Sequence, residues 1–351
     1  MKLQNWSIYS LAVMTLCLVG SVAQAQTITV LQRFDYPSNL NHHVQTAATL
    51  PQKVSDQGDV IGTVIDVNGK AQGFIYKFRL GKFSNPFSAP DDTGNDTQGR
   101  GINIHRHSCG EYLRASDDTF HGYLLVHPFF FNFDVSGAMD TIPLGINNDG
   151  SFVGTALFSD GTQPAFVSGL SATVDLFSVP GATATFAYQI NATNQIMGYY
   201  VDANGTTHGF TRDSAGNLNF PIDVPGATGT ILFGNNDENW GVGRYTDAEG
   251  STHGLYFITF DNILTFDAPY PGATFTSLNG INKNGQVCGY YIDTAGASHG
   301  LMAQVEPNSG ATWTPVRSVA AARSRDIKMP ATSAKPFHAP TKIFKIAAPA
   351  S

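Results

Sequence analysis

Four histidines at equivalent positions are the residues whose type and spacing first suggest chemistry in this 351-residue chain. Each directly precedes a glycine in a repeated segment; they are His121, His208, His253 and His299. Four imidazoles converging on one point would form a metal site. Equivalent strands of a ring of repeats, however, lie well away from its axis, so these side chains cannot share one ion, whose ligand bonds are about 2.0–2.1 Å long. We therefore predict no metal centre.

An aspartate of a Phe-Asp-x-Pro motif accompanies each of these histidines, with single departures from the motif at Ser136 and Ile222. Two other repeats have Gln72 and Pro164 in place of the histidine, and the same two have Ser88 and Ser178 in place of the aspartate. Since the exceptions coincide, we predict that the two positions touch and that imidazole and carboxylate are hydrogen-bonded. The predicted pairs are His121 with Asp134, His208 with Asp223, His253 with Asp267, and His299 with Asp35. We interpret them as structural clasps that tie adjacent strands, because an active site needs one such pair and the chain has four.

Aromatic and basic side chains cluster just after a glycine that recurs in every repeat. Side chains alternate along a strand, so half of them should face a core and half a groove or rim, where a ring can stack on a glycan or peptide. The sequence leaves both interpretations open. The candidate ligand contacts are Tyr200, Tyr245, Tyr291 and Arg244.

No catalytic motif is found in the sequence. It contains no Gly-x-Ser-x-Gly elbow, no His-Glu-x-x-His and no phosphate-binding loop. We predict no catalytic residue and no cofactor. Carboxylate pairs for glycoside hydrolysis remain an alternative, because such residues need not be close in sequence.

Two cysteines, Cys109 and Cys288, follow the first 25 residues. Each directly precedes the recurring glycine, at a position that is apolar in every repeat, so we predict buried, unpaired thiols. Their equivalent positions in separate repeats should exceed the roughly 7 Å limit on the Cα separation of a disulfide. A disulfide remains the alternative, because free thiols are unusual in a secreted protein.

The recurring glycine defines six repeats of about 45 residues. Its positions are Gly62, Gly110, Gly154, Gly198, Gly243 and Gly289. Four residues earlier, five repeats have Gly or Asn, which favour a tight turn, and the exception is Arg106. Each repeat contains four short strand-like segments. This pattern predicts an all-β fold, a six-bladed β-propeller with four-stranded blades, and the alternative is a β-solenoid.

The distribution of the Phe-Asp-x-Pro motif predicts how the ring closes. The motif follows every repeat except the sixth, and a separate copy, Phe34–Pro37, precedes the first repeat. If the N-terminal strand completes the last blade, every blade has its motif. A ring closed in this way has no open sheet edge.

These motifs together resemble a known family. Gly-Ile-Asn-x-x-Gly-x-x-x-Gly, His-Gly-Phe or His-Gly-Leu, and Phe-Asp-x-Pro-Gly-Ala are similar to the HAF-type extracellular repeats of bacteria, over about residues 34–304. The resemblance implies secretion and implies no catalytic residues. Gln72 and Pro164 depart from the histidine of the pattern.

The two ends of the chain differ from the repeats. Residues 1–25 have a basic start, an apolar run and an Ala-Gln-Ala cleavage site, which predicts a signal peptide and a protein secreted to the periplasm or the exterior. Residues 26–306 form the predicted propeller. Residues 307–351 are rich in Ala, Pro and basic residues, which predicts a flexible tail. No later segment is apolar enough to span a membrane.

Composition narrows the possible functions. The net charge is −7 and charged residues make up 13%, which argues against a nucleic-acid partner and against disorder. We predict a monomeric, non-catalytic binding module for an extracellular or envelope ligand, glycan or protein. The alternatives are a propeller enzyme, a glycan hydrolase or lyase with its site at the channel mouth, and a purely structural envelope protein.

Overall fold

The computed structural model describes residues 28–40, 45–169, 173–259 and 262–305. These residues form twenty-four β-strands and two single 3-10 turns, Ser38–Leu40 and Phe78–Leu80. The all-β prediction is confirmed. The predicted signal peptide, 1–25, and the predicted tail, 307–351, lie outside the described residues. Within the described part of the chain, no helix has the length and apolarity needed to cross a bilayer.

The strands are short and evenly spaced. In chain order they are β1 (Ile28–Phe34), β2 (Thr46–Val54), β3 (Asp59–Asp66), β4 (Ala71–Lys77), β5 (Lys82–Phe83), β6 (Thr97–Ile102), β7 (Ser108–Arg114), β8 (Thr119–Val126), β9 (Phe129–Phe133), β10 (Ala138–Ile146), β11 (Phe152–Phe158), β12 (Ala165–Ser168), β13 (Val174–Phe177), β14 (Ala184–Ile190), β15 (Ile196–Val201), β16 (Thr207–Arg212), β17 (Leu218–Ile222), β18 (Gly229–Asn235), β19 (Gly241–Thr246), β20 (Thr252–Thr259), β21 (Asn262–Phe266), β22 (Ala273–Ile281), β23 (Gln286–Asp293) and β24 (Ser298–Val305).

Antiparallel pairing groups these strands into sets of four, which we call modules 1 to 6. Modules 1 to 5 are β2–β5, β6–β9, β10–β13, β14–β17 and β18–β21. Module 6 consists of β22, β23, β24 and β1, since β1 pairs with β24 from Ile28 opposite Val305 to Phe34 opposite Gly300. Single parallel bridges, such as Ala48 opposite Ser298, join some neighbouring modules. The last module is therefore completed by the first strand of the chain.

Each module contacts the next, and module 6 contacts module 1. Strand β2 of module 1 lies against β22, β23 and β24. The first strand of every module also contacts the first strand of the following one. The ends of these first strands and the turns after them line a depression, which includes Ser55, Ile102, Asn147, Asn191, Asn236 and Asn282. Residues of all six modules thus meet in one place.

The recurring glycine is explained by the close approach of the first two strands. A Cβ atom at Gly198 would overlap the backbone carbonyl oxygen of Phe186, and the other five glycines face the same obstacle. The turn four residues earlier is left-handed in all six modules, whereas the sequence predicted it in five. Arg106 adopts this conformation with φ +60°, and its guanidinium pairs with the Asp59 carboxylate of the preceding module at 2.5 Å.

An asparagine seven residues before the recurring glycine links most of the modules. Its Oδ1 accepts two backbone N–H groups of its own turn, as in Asn191 with Thr193 and Gln195. Its Nδ2 donates to the backbone carbonyl of the equivalent residue in the next module. These bonds are Asn103 to Asn147 at 3.0 Å, Asn147 to Asn191 at 3.2 Å, Asn191 to Asn236 at 3.1 Å and Asn282 to Ser55 at 2.9 Å. We call this series the asparagine ladder.

The apolar core lies between modules. One cluster, for example, joins Phe34 and Met302 of module 6 with Phe74 and Tyr76 of module 1. Cys109 and Cys288 are fully buried in such clusters and are unpaired, as the sequence predicted. Burial raises the pKa of both thiols to about 12.

Candidate functional site

The structure brings each of the four histidines to the aspartate that the sequence paired with it. The histidine stands on the third strand of its module and the aspartate just after the fourth. The Nδ1 atom and the carboxylate are 3.1 Å apart for His121 and Asp134, 2.9 Å for His208 and Asp223, 2.8 Å for His253 and Asp267, and 2.8 Å for His299 and Asp35. The fourth pair joins β24 to the chain just after β1.

A second carboxylate lies on the other side of each imidazole. It lies at the end of the second strand or in the turn that follows, and no motif in the sequence predicted it. The distances from Nε2 are 3.4 Å to Asp117, 3.6 Å to Asp202, 3.1 Å to Asp247 and 3.2 Å to Asp293. An available signal was the aspartate four residues after the recurring glycine in three of these modules.

Two of these histidines have raised pKa values. Burial lowers the pKa of His253 and of His299, but their bonds to two aspartates outweigh it. The pKa of Asp247 is lowered, with the hydrogen bond from His253 as the largest cause. In His121, His253 and His299 both imidazole nitrogens are hydrogen-bonded to carboxylates, and in His208 Nδ1 is bonded to Asp223 while Nε2 lies 3.6 Å from Asp202. This geometry suits a structural role.

Module 1 keeps the contact with different side chains. The Nε2 atom of Gln72 lies 3.1 Å from Oγ of Ser88, at the positions of the histidine and aspartate. The coincident exceptions in the sequence therefore mark two positions that touch in this module as well.

Three of the four candidate ligand contacts pack against the histidines. The rings of Tyr200, Tyr245 and Tyr291 lie 5.2, 5.1 and 5.0 Å from those of His208, His253 and His299. Tyr200 is 7% exposed and Tyr291 is 1% exposed, so both rings are buried, which favours the core interpretation over ligand contact for these two candidates. Tyr245 is half-buried, and its hydroxyl bonds Thr265 at 3.0 Å.

Arg244, the fourth candidate, lies on the opposite face of its strand, in a different environment. Its guanidinium carbon is 5.2 Å from the ring centre of Phe233 and 5.4 Å from that of Phe275. Phe275 stacks on Tyr290 at 5.5 Å, and Phe233 meets Tyr188 edge-on at 4.8 Å. We call these five residues the aromatic–arginine cluster. All except the buried Phe233 are half-buried.

The cluster is built from three modules and has no equivalent in the others. Tyr188 stands on β14, Phe233 on β18 and Phe275 on β22, which are first strands of modules 4, 5 and 6. Positions equivalent to Phe233 in modules 1 to 3 are Gln52, Arg100 and Leu144. The sequence repeat does not reveal such a site, because it depends on the positions at which repeats differ.

Lys53 of module 1 reaches the same region. It is 5% exposed, and its Nζ donates to the backbone carbonyls of Phe233 and Asn279, the latter at 3.2 Å. The ammonium group is 5.9 Å from the ring centre of Tyr188. Burial lowers the pKa of Lys53 to about 7. One lysine thus contacts modules 4, 5 and 6 from module 1.

The nearby acid Glu111 is neutralised by Arg100. The guanidinium Nε lies 2.9 and 3.1 Å from the two carboxylate oxygens, and Glu111 is almost completely buried. Burial opposes the charge of Arg100, but the Glu111 carboxylate more than offsets this and raises the pKa of the guanidinium. Arg100 and Glu111 form a buried, bidentate ion pair, and burial raises the pKa of Glu111 although the adjacent guanidinium acts to lower it. Within the described residues, no group of three or more His, Cys, Asp or Glu side chains could hold a metal ion.

Comparisons with known proteins identify no family. No protein-family model matches the sequence, and no curated protein is detectably similar to it. Solved structures with a similar shape include the six-bladed β-propeller lectin of Aleuria aurantia, described with a novel mode of fucose recognition (9% identity, TM-score 0.44, 76% of this chain and 95% of that one). The others include a lectin of Burkholderia pseudomallei (14%, 0.44, 78% and 84%) and a gluconolactonase of Xanthomonas campestris (10%, 0.46, 80% and 90%). Similarity at this level carries no argument about the function of this chain.

Proposed function

We propose that the chain is a secreted six-bladed β-propeller, closed by its N-terminal strand, that binds a glycan through the aromatic–arginine cluster and catalyses no reaction. The modules are its blades, and the chain is a HAF-type repeat protein. The pairing of β1 with β24 and the depression lined by all six modules support the closed ring. The cleavage site after Ala25 supports secretion.

The observation that carries the binding function is the contrast between repeated and unrepeated side chains. The His–Asp pairs and the asparagine ladder recur around the modules and bond to other parts of the fold, so they stabilise it. The aromatic–arginine cluster occurs once. Half-buried aromatic rings beside a cation offer an apolar face and polar edges in one place, which suits the mixed surface of a sugar.

The enzyme alternative requires carboxylates at this site, and the geometry argues against it. A glycosidase needs two carboxyl groups flanking the scissile bond. Near the cluster, Glu111 is bound bidentately by Arg100. Asp96 is the other acid whose charge affects the Arg100–Glu111 ion pair, and it accepts a 2.8 Å hydrogen bond from Gln98. The aromatic rings therefore favour binding.

The test is a glycan array probed with the chain from residue 26 onwards. We expect binding to at least one glycan class, and at least tenfold weaker binding by the double variant F275A/Y290A. The matched control is F129A/F131A, which removes two aromatic rings that are 65% and 53% exposed outside the cluster; it should bind like the wild type. No binding to any glycan, or equal loss in both double variants, would contradict the proposal.

A further inference from the structure

Arg244 is a cation without a protein partner in the candidate site. No hydrogen bond or ion pair joins its guanidinium to another residue in the described part of the chain, where its contacts are the rings of Phe233 and Phe275. Rings stack on the flat faces of a guanidinium and leave the N–H groups at its edge. Those N–H groups form the fork that pairs bidentately with a carboxylate.

The other charges of the region are already paired or bound. Arg100 is bonded to Glu111, and Lys53 donates to two backbone carbonyls. Burial raises the pKa of Tyr188, while the positive charges of Arg100 and Arg244 act to lower it, which places both cations around this ring. Arg100 offsets Glu111, and Asp96, the other acid whose charge affects this pair, accepts a hydrogen bond from Gln98. Among these charged groups, Arg244 is therefore the cation whose N–H groups have no partner in the described residues.

This cation belongs to an acidic protein. The whole chain has a net charge of −7, so a general attraction for anions does not come from its surface. An anion would be drawn to this region by the local field of Arg244, whose N–H groups have no partner in the described residues. A ligand that satisfies both Arg244 and the adjoining rings must combine an anionic group with an apolar face.

We infer that the aromatic–arginine cluster binds a sugar that carries a carboxylate, such as a uronate or a sialate, with Arg244 pairing the carboxylate and Phe275 and Tyr290 supporting the sugar ring. This inference rests on the proposed glycan-binding function. Arg244 is then the residue that determines specificity for acidic over neutral glycans. A carboxylate fits better than a sulfate ester, because its two coplanar oxygens match the planar guanidinium fork.

The test compares glycans that differ only in charge. An array carries uronate and sialate glycans, each beside its carboxyl-reduced counterpart, together with sulfated glycans. We expect at least one carboxylated glycan to bind about 10- to 100-fold more tightly than its reduced counterpart, the range for a charge-assisted pair. Raising the salt concentration should weaken binding of the acid more than binding of the neutral glycan.

Two variants test whether Arg244 causes the preference for acidic over neutral glycans. R244M should bind the acidic and reduced forms equally, while retaining weak binding through the rings. R244K keeps the charge without the fork, so its preference should be intermediate. Thermal unfolding of both variants checks that they are folded.

The possible outcomes separate this inference from the proposed function. Binding to neutral glycans alone, or to sulfated glycans in preference to carboxylated ones, overturns the carboxylate assignment and leaves glycan binding intact. A preference for acid that persists in R244M overturns the role of Arg244. No binding to any glycan overturns both.

Discussion

Asn282 donates a 2.9 Å hydrogen bond from Nδ2 to the backbone carbonyl of Ser55, which stands 227 residues earlier in the chain. The same bond joins consecutive modules elsewhere, so module 6 meets module 1 in the way that interior modules meet each other. Asn236 is an exception in the asparagine ladder, because its Nδ2 is buried without a partner in the described residues. Comparing substitutions at Asn191, which makes the ladder bond, and at Asn236, which does not, therefore isolates the contribution to stability of hydrogen bonds to the next module.

Replacing Asn191 by serine should destabilise the protein more than replacing Asn236. Serine is chosen because module 1 has Ser55 at this position. The hydroxyl of Ser55 accepts a 3.2 Å hydrogen bond from the backbone N–H of Asp59 in its own turn. Both variants therefore keep a turn acceptor, but only N191S loses hydrogen bonds to the next module, from Nδ2 to the backbone carbonyl of Asn236 at 3.1 Å and to Oδ1 of Asn239 at 3.2 Å. We expect the difference in free energy of unfolding to be about 1–2 kcal/mol, since each hydrogen bond contributes about 1 kcal/mol. Equal losses in urea titrations would contradict the role of the ladder.

Strand β1 offers a matched pair of substitutions that test the proposed closure of the ring. Phe34 is 5% exposed and stacks on Tyr76 of module 1 at 4.6 Å, whereas Leu31 is 42% exposed. F34A should lower the free energy of unfolding by about 3–5 kcal/mol, as for other buried phenylalanines. L31A should change it by less than about 0.5 kcal/mol. A small effect of F34A in chemical denaturation would show that β1 is not part of the cooperative core.

The His253–Asp267 pair should stabilise the protein more in acid than in base. The folded-state pKa of His253 is raised, so its contribution is complete below the ordinary histidine pKa of about 6.5 and is lost as pH rises through the folded value. The variant H253Q/D267S introduces the uncharged pair that module 1 already uses. The difference in free energy of unfolding between wild type and this variant should be about 0.5 kcal/mol larger at pH 5.5 than at pH 8.5. The value is small because the aspartate is exposed to solvent. The same difference at both pH values would contradict the assignment.

Lys53 should give stability the opposite pH dependence. Its folded-state pKa is lowered to about 7 by burial, so between that value and the ordinary lysine pKa the unfolded chain binds more protons than the folded one. Stability should therefore rise with pH above 7, by up to about 1.4 kcal/mol per pH unit. The variant K53M should lose this rise. The control variant K283M removes an exposed lysine and should keep the rise in stability with pH. Parallel stability profiles for wild type and K53M from pH 7 to 9 would contradict the prediction.

The repeat made most of the fold predictable from the sequence. A glycine such as Gly198, at which a Cβ atom would overlap a backbone carbonyl oxygen, marks the same close approach of the first two strands six times. The His–Asp contacts were predictable because two repeats, with Gln72 and Ser88 in one of them, vary both positions together. The left-handed turn at Arg106 was missed because an ion pair with Asp59 of the neighbouring module holds a residue that rarely adopts this conformation.

The candidate site was far less predictable. Adjacent tyrosines such as Tyr290 and Tyr291 point to opposite sides of one strand, and the sequence does not say which side is buried. Phe233 and Lys53 stand on different modules and meet because the first strands converge, a relationship that no local pattern contains. Arg244 was identified as a candidate from its type, while the rings around it were not.

A crystal structure of the chain with the glycan that binds it most tightly on the array would test the account most directly. We predict that the sugar ring lies against Phe275 and Tyr290, with its anionic group within hydrogen-bonding distance of the Arg244 guanidinium. A glycan bound on another surface, for example beside Tyr245 and His253 at the His–Asp pairs, would contradict the proposed site.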